Sequence, residues 1–187
     1  MKVASLSKLS NKKVLAGSPE GRRMREILSD LAKASDPGLF VIDFAQIDVA
    51  TSSFVREAVV IFRNLTRAQR ADLYPVVANL NAEVEEELTS VLLQMGDAIW
   101  LFDLSKMDVT GHRLLGKIDP KLRETLDLIE NGAGYDAATR WKTTNSTESV
   151  GVTAWNNRLA NLAKQGLAFE SKVGKQKYYH PLRESTV

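Results

Sequence analysis

The chain contains no cysteine, and its only imidazoles are those of His112 and His180. Disulfides, thiolate zinc ligands and a cysteine nucleophile are therefore excluded, and a histidine-based metal site has little to draw on. Two isolated histidines with no identifiable nucleophile beside them also argue against a Ser-His-Asp hydrolase. We expect no catalytic residue, no metal and no cofactor, and we do not expect an enzyme.

Long apolar runs are missing as well. No stretch approaches the roughly 18 apolar residues of a membrane-spanning helix, and Met1-Lys2-Val3 leads into no signal-peptide run. The composition, with 44% hydrophobic and 26% charged residues, is that of a globular protein. We therefore expect a cytoplasmic protein with no membrane partner. The length of 187 residues is enough for one large domain or two small ones.

Charge is distributed unevenly along the chain. Residues 1–105 hold 12 Lys and Arg against 14 Asp and Glu, whereas residues 106–187 hold 13 against 9. Residues 140–183 contain 8 basic residues and only two acidic ones, Glu148 and Glu170. Such a local excess is typical of a module that binds a polyanion.

The first half alternates strand-like and helix-like patterns. Three short apolar runs have the length and composition of strands: Leu39–Phe44, Tyr74–Ala78 and Ala98–Phe102. Stretches with helical spacing of apolar residues separate these runs, and Asn81 is a candidate N-cap for the last helix. This order predicts an α/β domain with a mostly parallel sheet. We also predict a hairpin between residues 1–6 and 13–15.

A change of pattern marks the domain boundary. Residues 105–118 contain two glycines and no sustained periodicity, so we place a junction there, between domains at 1–104 and 119–187. Asp119 and Pro120 then have the residue types of a helix start, an N-cap followed by proline.

The rest of the second half predicts two more helices and a hairpin. A short helix is expected over residues 136–143, and a longer one from the candidate N-cap Thr153 to Gln165, before Gly166. Residues 167–172 and 177–180 then form a hairpin about a glycine-containing turn. Three helices followed by a hairpin is the plan of a winged helix-turn-helix.

Residues 151–182, "GVTAWNNRLANLAKQGLAFESKVGKQKYYHPL", resemble the winged helix-turn-helix transcriptional regulators of bacteria and archaea. The resemblance is carried by the helix start at Thr153-Ala154, by "RLANLAKQGL" as the end of a recognition helix, and by the basic hairpin closing on "YYHPL". It implies a C-terminal winged-helix α+β domain that binds double-stranded DNA.

The outward face of the third helix and the hairpin supply candidate DNA contacts. Asparagine can read adenine, and Lys or Arg can hold phosphates, so we assign base contacts to Asn156 and Asn157. The other candidates are mostly basic: Thr153, Arg158, Lys164, Lys172, Lys175, Lys177, Arg140 and Lys142. The alternatives are a solvated polar helix face, a winged helix that contacts protein, and lysines that only protect an edge strand from pairing.

In the first half, "GSPEGRRMREIL", "VIDFAQIDVATSSFVREAVV" and "NAEVEEEL" resemble a STAS-like domain, a variant family of unknown function related in fold to bacterial anti-sigma factor antagonists. The resemblance covers residues 1–104 and implies a domain that binds a partner or an effector. In the antagonists a serine at this helix start is phosphorylated, and residue matching places it at Ser53, with Ser52 adjacent. From the residues alone, plain helix capping by these hydroxyls is the default interpretation, and phosphorylation is the alternative that the resemblance implies.

Two other features in the first half suggest ligands less specifically. Residues 16–23, "AGSPEGRR", offer glycines and arginines before a helix, but lack the Gly-Lys-Ser/Thr ending of a P-loop, so a plain loop is the default. Asp43, Asp48 and Glu57 fall near the carboxyl end of a predicted strand, where ligands often bind in parallel sheets. They define no reaction.

These patterns together predict a two-domain DNA-binding protein, a transcriptional regulator whose STAS-like domain binds a partner or an effector. A homodimer would fit this function, because one winged helix has a small interface and two half-sites raise affinity. The alternative is a protein-interaction adaptor without DNA binding, or a switch like the anti-sigma antagonists.

Overall fold

The computed structural model describes residues 1–105, 108–133, 151–174 and 176–182. The chain divides into two compact units, Met1–Lys117 and Ile118–Val187. No helix among the described residues has the length and apolar character to span a membrane.

The first unit alternates strands with helices along the chain. Its strands are β1 (Lys2–Ser5), β2 (Val14–Leu15), β3 (Gly38–Asp43), β4 (Val49–Ala50), β5 (Leu73–Ala78), β6 (Ala98–Ser105) and β7 (Asp108–Gly116). Its helices are α1 (Leu6–Ser10), α2 (Ser18–Lys33), α3 (Ser52–Val55), α4 (Phe62–Gln69) and α5 (Ala82–Met95). A π-helical segment, Arg56–Ile61, joins α3 to α4 in one continuous helix.

A five-stranded sheet in the order β1-β3-β5-β6-β7 organises this unit. The first four strands are parallel to their neighbours, and β7 runs antiparallel to β6. The predicted α/β class with a mostly parallel sheet is therefore confirmed. Strand β5 is buried along its whole length, which suits a central strand of such a sheet.

The predicted N-terminal hairpin is wrong. Strand β1 pairs in parallel with β3, and the two-residue β2 pairs in parallel with β4. Between them the chain forms α1, which buries Leu6 and ends at Asn11 in the left-handed conformation, with φ 54°. Residues 10–12, which would have to form the turn of the predicted hairpin, instead follow from the end of helix α1.

The predicted junction at 105–118 is also wrong over most of its length, because residues 108–116 form β7. This strand is an exposed edge in which only Leu115 is buried, so it has no clear apolar period. Gly111, which we interpreted as a chain breaker, stands opposite Asp103 in the ladder. A Cβ at this glycine would lie 2.7 Å from Asp103 Oδ2, the end of an exposed side chain that can turn away, so the glycine does not interrupt the strand.

The core of the first unit lies between the sheet and helices α2 to α5. Its buried side chains include Met24 and Leu28 of α2, Phe62 of α4 and Leu88 of α5. Helix α5 begins at the predicted cap, where Asn81 Oδ1 accepts a hydrogen bond from the Val84 N–H at 2.9 Å. The cap satisfies a backbone donor that the first turn of a helix leaves unpaired.

The second unit contains helices α6 (Pro120–Leu128) and α7 (Val152–Lys164) and the strands β8 (Phe169–Val173) and β9 (Gln176–His180). Helix α6 starts as predicted, since Asp119 Oδ1 accepts from the Lys121 N–H at 2.8 Å, and a π-helical segment, Ile129–Ala133, extends it. The helix predicted over residues 136–143 lies outside the described residues. Helix α7 starts at the N-cap Gly151, two residues before the predicted Thr153.

Candidate nucleic-acid interface

Helix α7 separates apolar from polar residues sharply. Trp155 is 1% exposed, and Leu159, Leu162 and Ala163 are buried beside it. Helix α6 packs against α7. Trp155 is therefore a core residue, and the other face of α7 presents five exposed side chains to solvent: Thr153, Asn156, Asn157, Asn161 and Lys164.

Arg158 differs from the other predicted contacts on this helix. Its side chain is only 12% exposed and approaches Glu124, with 3.8 Å between Nη1 and Oε2. The guanidinium carbon lies 4.6 Å from the centre of the Trp155 ring, which is cation-π geometry. The prediction that the Arg158 side chain lies on the outward face of the helix is thus wrong, because its long stem covers the Trp155 ring and its charge lies near an acidic neighbour.

The chain leaves α7 through a regular helix end. Gly166 has φ 74°, its N–H donates to the Ala163 carbonyl, and the Leu167 N–H donates to the Leu162 carbonyl at 2.9 Å. This pair of bonds is the Schellman motif, which favours glycine at the left-handed position. Leu167 is buried immediately afterwards, so the exit from the helix is fixed by packing and leads directly into β8.

Strands β8 and β9 form an antiparallel hairpin. Their ladder runs from Phe169 opposite His180 to Val173 opposite Gln176, and Gly174, with φ 61°, opens the connecting turn. Neighbouring side chains on a strand point to opposite faces, and accordingly Tyr179 is buried whereas Tyr178 is half-buried.

The hairpin carries exposed basic residues close to its turn. Lys172 and Lys177 are both exposed and stand directly opposite each other in the ladder. Lys177 Nζ lies 2.9 Å from Glu170 Oε1, and a hydrogen bond to this carboxylate raises the pKa of the lysine. Sequence reasoning missed this ion pair, although two-residue alternation on paired strands could have indicated it. The predicted contacts Lys175, Arg140 and Lys142 lie outside the described residues.

The two candidate phosphorylation serines of the first unit have different surroundings. Ser52 Oγ donates a hydrogen bond to the Glu87 carboxylate, whereas Ser53 Oγ lies 3.2 Å from the Thr51 hydroxyl. The residue at the N-cap of α3 is Thr51, and its side chain makes no capping bond. The interpretation of the serines as capping residues is therefore wrong, since their hydroxyls are bonded to other side chains.

A cavity of about 480 Å³ adjoins Ser52. Its wall is markedly acidic, because α5 contributes three carboxylates to it: Glu83, Glu86 and Glu87. A phosphate on Ser52 would face this negative wall, which opposes it electrostatically.

The three acidic residues near the strand ends have separate partners. Asp43 Oδ1 accepts bonds from Asn79 Nδ2 at 2.8 Å and from the Ala45 N–H at 3.0 Å, whereas Glu57 pairs with arginines. The backbone N–H of Asp48 donates to the backbone carbonyl of Lys13 at 2.8 Å. No group of three metal-ligating side chains occurs within the described parts of the chain.

No protein-family model, curated protein or solved structure matches this chain. The geometry of the two units is therefore the basis for any functional assignment.

Proposed function

We propose that the second unit binds double-stranded DNA, as a winged helix-turn-helix whose recognition helix is α7 and whose wing is the β8–β9 hairpin. The observation that carries the proposal is the exposed polar face of α7, followed through a fixed helix end by a hairpin with exposed lysines. A helix with one buried face and one polar face, whose only charged group there is that of Lys164, can enter the major groove without burying an acidic group against the DNA.

The exposed side chains divide into two chemical roles. Asn156 and Asn157 lie in the first half of α7, where amides can pair with the donor and acceptor of an adenine edge. Lys164, Lys172 and Lys177 are exposed ammonium groups suited to phosphates, which position a protein on DNA without reading its sequence. We do not include Arg158 among the phosphate contacts, because its guanidinium group packs on the Trp155 ring.

The opposed pair of lysines favours an anionic partner. Like charges directly across a hairpin destabilise it. Phosphates placed beside Lys172 and Lys177 would relieve this repulsion. Protection of an edge strand, the simpler role of such lysines, would not require two of them to stand opposite each other.

We further propose a cytoplasmic transcriptional regulator in which the first unit, a STAS-like domain, binds a partner or an effector, and in which two copies of the chain occupy two half-sites. The α/β fold of the first unit is compatible with this role. The role of the first unit can be tested separately from DNA binding, since the two units are compact by themselves.

A salt titration tests the DNA proposal. Affinity for duplex DNA of random sequence is measured against salt concentration for the wild type and for Lys172→Ala/Lys175→Ala/Lys177→Ala. We expect a steep negative slope for the wild type and a slope shallower by about two to three for the variant, because each released phosphate contact contributes roughly 0.9. Lys8→Ala/Lys13→Ala/Lys33→Ala removes the same charge from exposed lysines of the first unit and should leave the slope unchanged.

A protein-interaction adaptor is the second candidate. It is favoured by α5, where exposed Leu93 and Met95 follow a run of glutamates on a surface suited to a partner. If neither the wild type nor the lysine variant binds duplex DNA, and the chain forms a stable complex that Leu93→Ser weakens, the adaptor replaces the regulator as the proposed function.

A further inference from the structure

A cluster of three arginines surrounds one carboxylate in the first unit. Glu57, which is 8% exposed, lies on the π-helical segment between α3 and α4. Arg25 Nη1 donates to its Oε2 at 2.6 Å. Arg22 and Arg56 approach the other oxygen, Oε1, with separations of 3.9 and 3.7 Å. We refer to Arg22, Arg25 and Arg56 as the arginine cluster.

Positive charge exceeds negative charge in this cluster. Three guanidiniums share one carboxylate, and only Arg25 is within hydrogen-bonding distance of it. Arg56 donates to the Ser18 hydroxyl at 3.4 Å, and within the described ranges no second carboxylate lies within 4.0 Å of Arg22 or Arg56. The cluster therefore keeps an excess of two positive charges, and the guanidinium groups of Arg22 and Arg56 keep N–H donors that are available to a ligand.

The fold holds the arginines together through an unusually close helix contact. A Cβ on Gly21 would lie 2.8 Å from Glu57 Cβ and 2.9 Å from the Phe54 carbonyl oxygen, so glycine lets α2 touch the helix that begins at Ser52. Arg22 and Arg25 are three residues apart on α2, on neighbouring positions of one face. The π-helical segment shifts the register of the second helix, a distortion found often at functional sites.

Two of the three arginines in the cluster are accessible to solvent. The side chains of Arg22 and Arg56 are 51% and 48% exposed, whereas that of Arg25 is 22% exposed and anchored by Glu57. The N–H of Gly17 donates to Thr51 Oγ1 at 3.1 Å, which fixes the start of α2 and hence Ser18 beside Arg56. The guanidinium groups of Arg22 and Arg56 are thus accessible and lie beside the more buried ion pair of Arg25 with Glu57.

We propose that the arginine cluster, with Ser18, binds the dianionic phosphate group of a small effector. Guanidinium forks match phosphate oxygens in bidentate geometry, and a serine hydroxyl can donate a further bond. A dianion neutralises the excess charge, which a single carboxylate would only halve. Glu57 is a positioning residue that orients Arg25. The inference goes beyond the proposed DNA binding and does not depend on it.

Calorimetric titration of the full chain with inorganic phosphate, at constant ionic strength, tests the proposal. We expect saturable binding by the wild type, weakening of about tenfold in both Arg22→Ala and Arg56→Ala, and no saturation in the double variant. Arg23→Ala removes the same charge from the neighbouring exposed position of α2 and should change affinity less than about twofold. Acetate, a monoanion, should not compete.

The controls separate binding from folding and from DNA contact. Because Arg22 and Arg56 are about half exposed, their variants should keep the circular dichroism spectrum and cooperative melting of the wild type. Methyl phosphate, titrated in parallel, distinguishes a phosphate ester from free phosphate as the preferred form. Absence of saturable binding by the wild type, or equal binding by the folded double variant, overturns the proposal. The proposal is also overturned if the double variant loses affinity for duplex DNA while its affinity for inorganic phosphate stays unchanged.

Discussion

Lys172 and Lys177 face each other across the β8–β9 hairpin, and Glu170 forms an ion pair with Lys177. The hairpin thus carries a repulsion in the free protein that an anionic ligand would remove. Lys172→Ala should therefore raise the stability of the free protein slightly, by about 0.2–1 kcal/mol, while it lowers affinity for duplex DNA. Thermal melting measures the expected rise in stability, and a DNA titration on the same preparation measures the expected fall in affinity.

Removal of Glu170 should have the opposite effect on binding. Glu170→Gln frees Lys177 from its ion pair, so we expect tighter binding to duplex DNA and a salt slope steeper by about one. The pKa of Lys177 should fall towards its ordinary value, because the hydrogen bond to Glu170 is what raises it. Unchanged affinity in this variant would show that the hairpin does not approach the phosphates.

Arg158→Ala and Asn157→Ala should separate a structural residue from a binding residue on adjacent positions of α7. The arginine covers the Trp155 ring, so its loss should lower the free energy of unfolding by about 1 kcal/mol. The exposed Asn157 should leave stability within about 0.5 kcal/mol and weaken sequence-specific DNA binding. Denaturant unfolding and DNA affinity are measured for both. A stability loss in Asn157→Ala alone would reverse these assignments.

Gly21→Ala should be destabilising, although alanine normally favours helices over glycine by about 1 kcal/mol. The added Cβ would meet Glu57 and the backbone of Phe54 at less than 3.0 Å, so the helices must separate. We expect a loss of roughly 1–3 kcal/mol in urea unfolding, accompanied by loss of phosphate binding. The control Glu26→Ala changes an exposed position of the same helix, and its free energy of unfolding should stay within about 0.5 kcal/mol of the wild-type value.

The pH dependence of stability should include a small contribution from Glu20. A hydrogen bond from Lys12, followed by one from the Ala16 N–H, lowers the pKa of this carboxyl in the folded state. A lowered folded pKa means that the stabilisation is complete above the unfolded pKa and is lost as pH falls through the folded one. Glu20→Gln should therefore flatten acid unfolding slightly, and a titration by NMR should show the pKa of Glu20 rising in Lys12→Met.

Sequence patterns correctly predicted those strands and helix starts that are determined by residues close together in the sequence. The apolar runs became β3, β5 and β6, and the caps Asn81 and Asp119 start helices because short polar side chains bond the first free N–H groups. The ends of α7 are less uniform. Gly166 ends the helix as predicted, whereas Gly151 rather than Thr153 precedes it.

Predictions failed where partners distant in sequence decide the conformation. Strand β7 has no apolar period because it is an exposed edge, and its backbone pairs with β6. The N-terminal segment pairs with β3, more than 30 residues away, instead of folding back on β2. The side chain of Arg158 is turned inward by Trp155 and Glu124, which a helical wheel cannot show.

The sequence by itself determined the α/β class of the first unit, the basic character of the second half and the polar face of α7, since periodicity and composition are local properties of the chain. Only the tertiary structure decided which charges meet. The arginine cluster forms because Gly21 lets two helices touch, and the pairing of Lys177 with Glu170 follows from the register of one hairpin. Such juxtapositions depend on packing between segments, which no local pattern records.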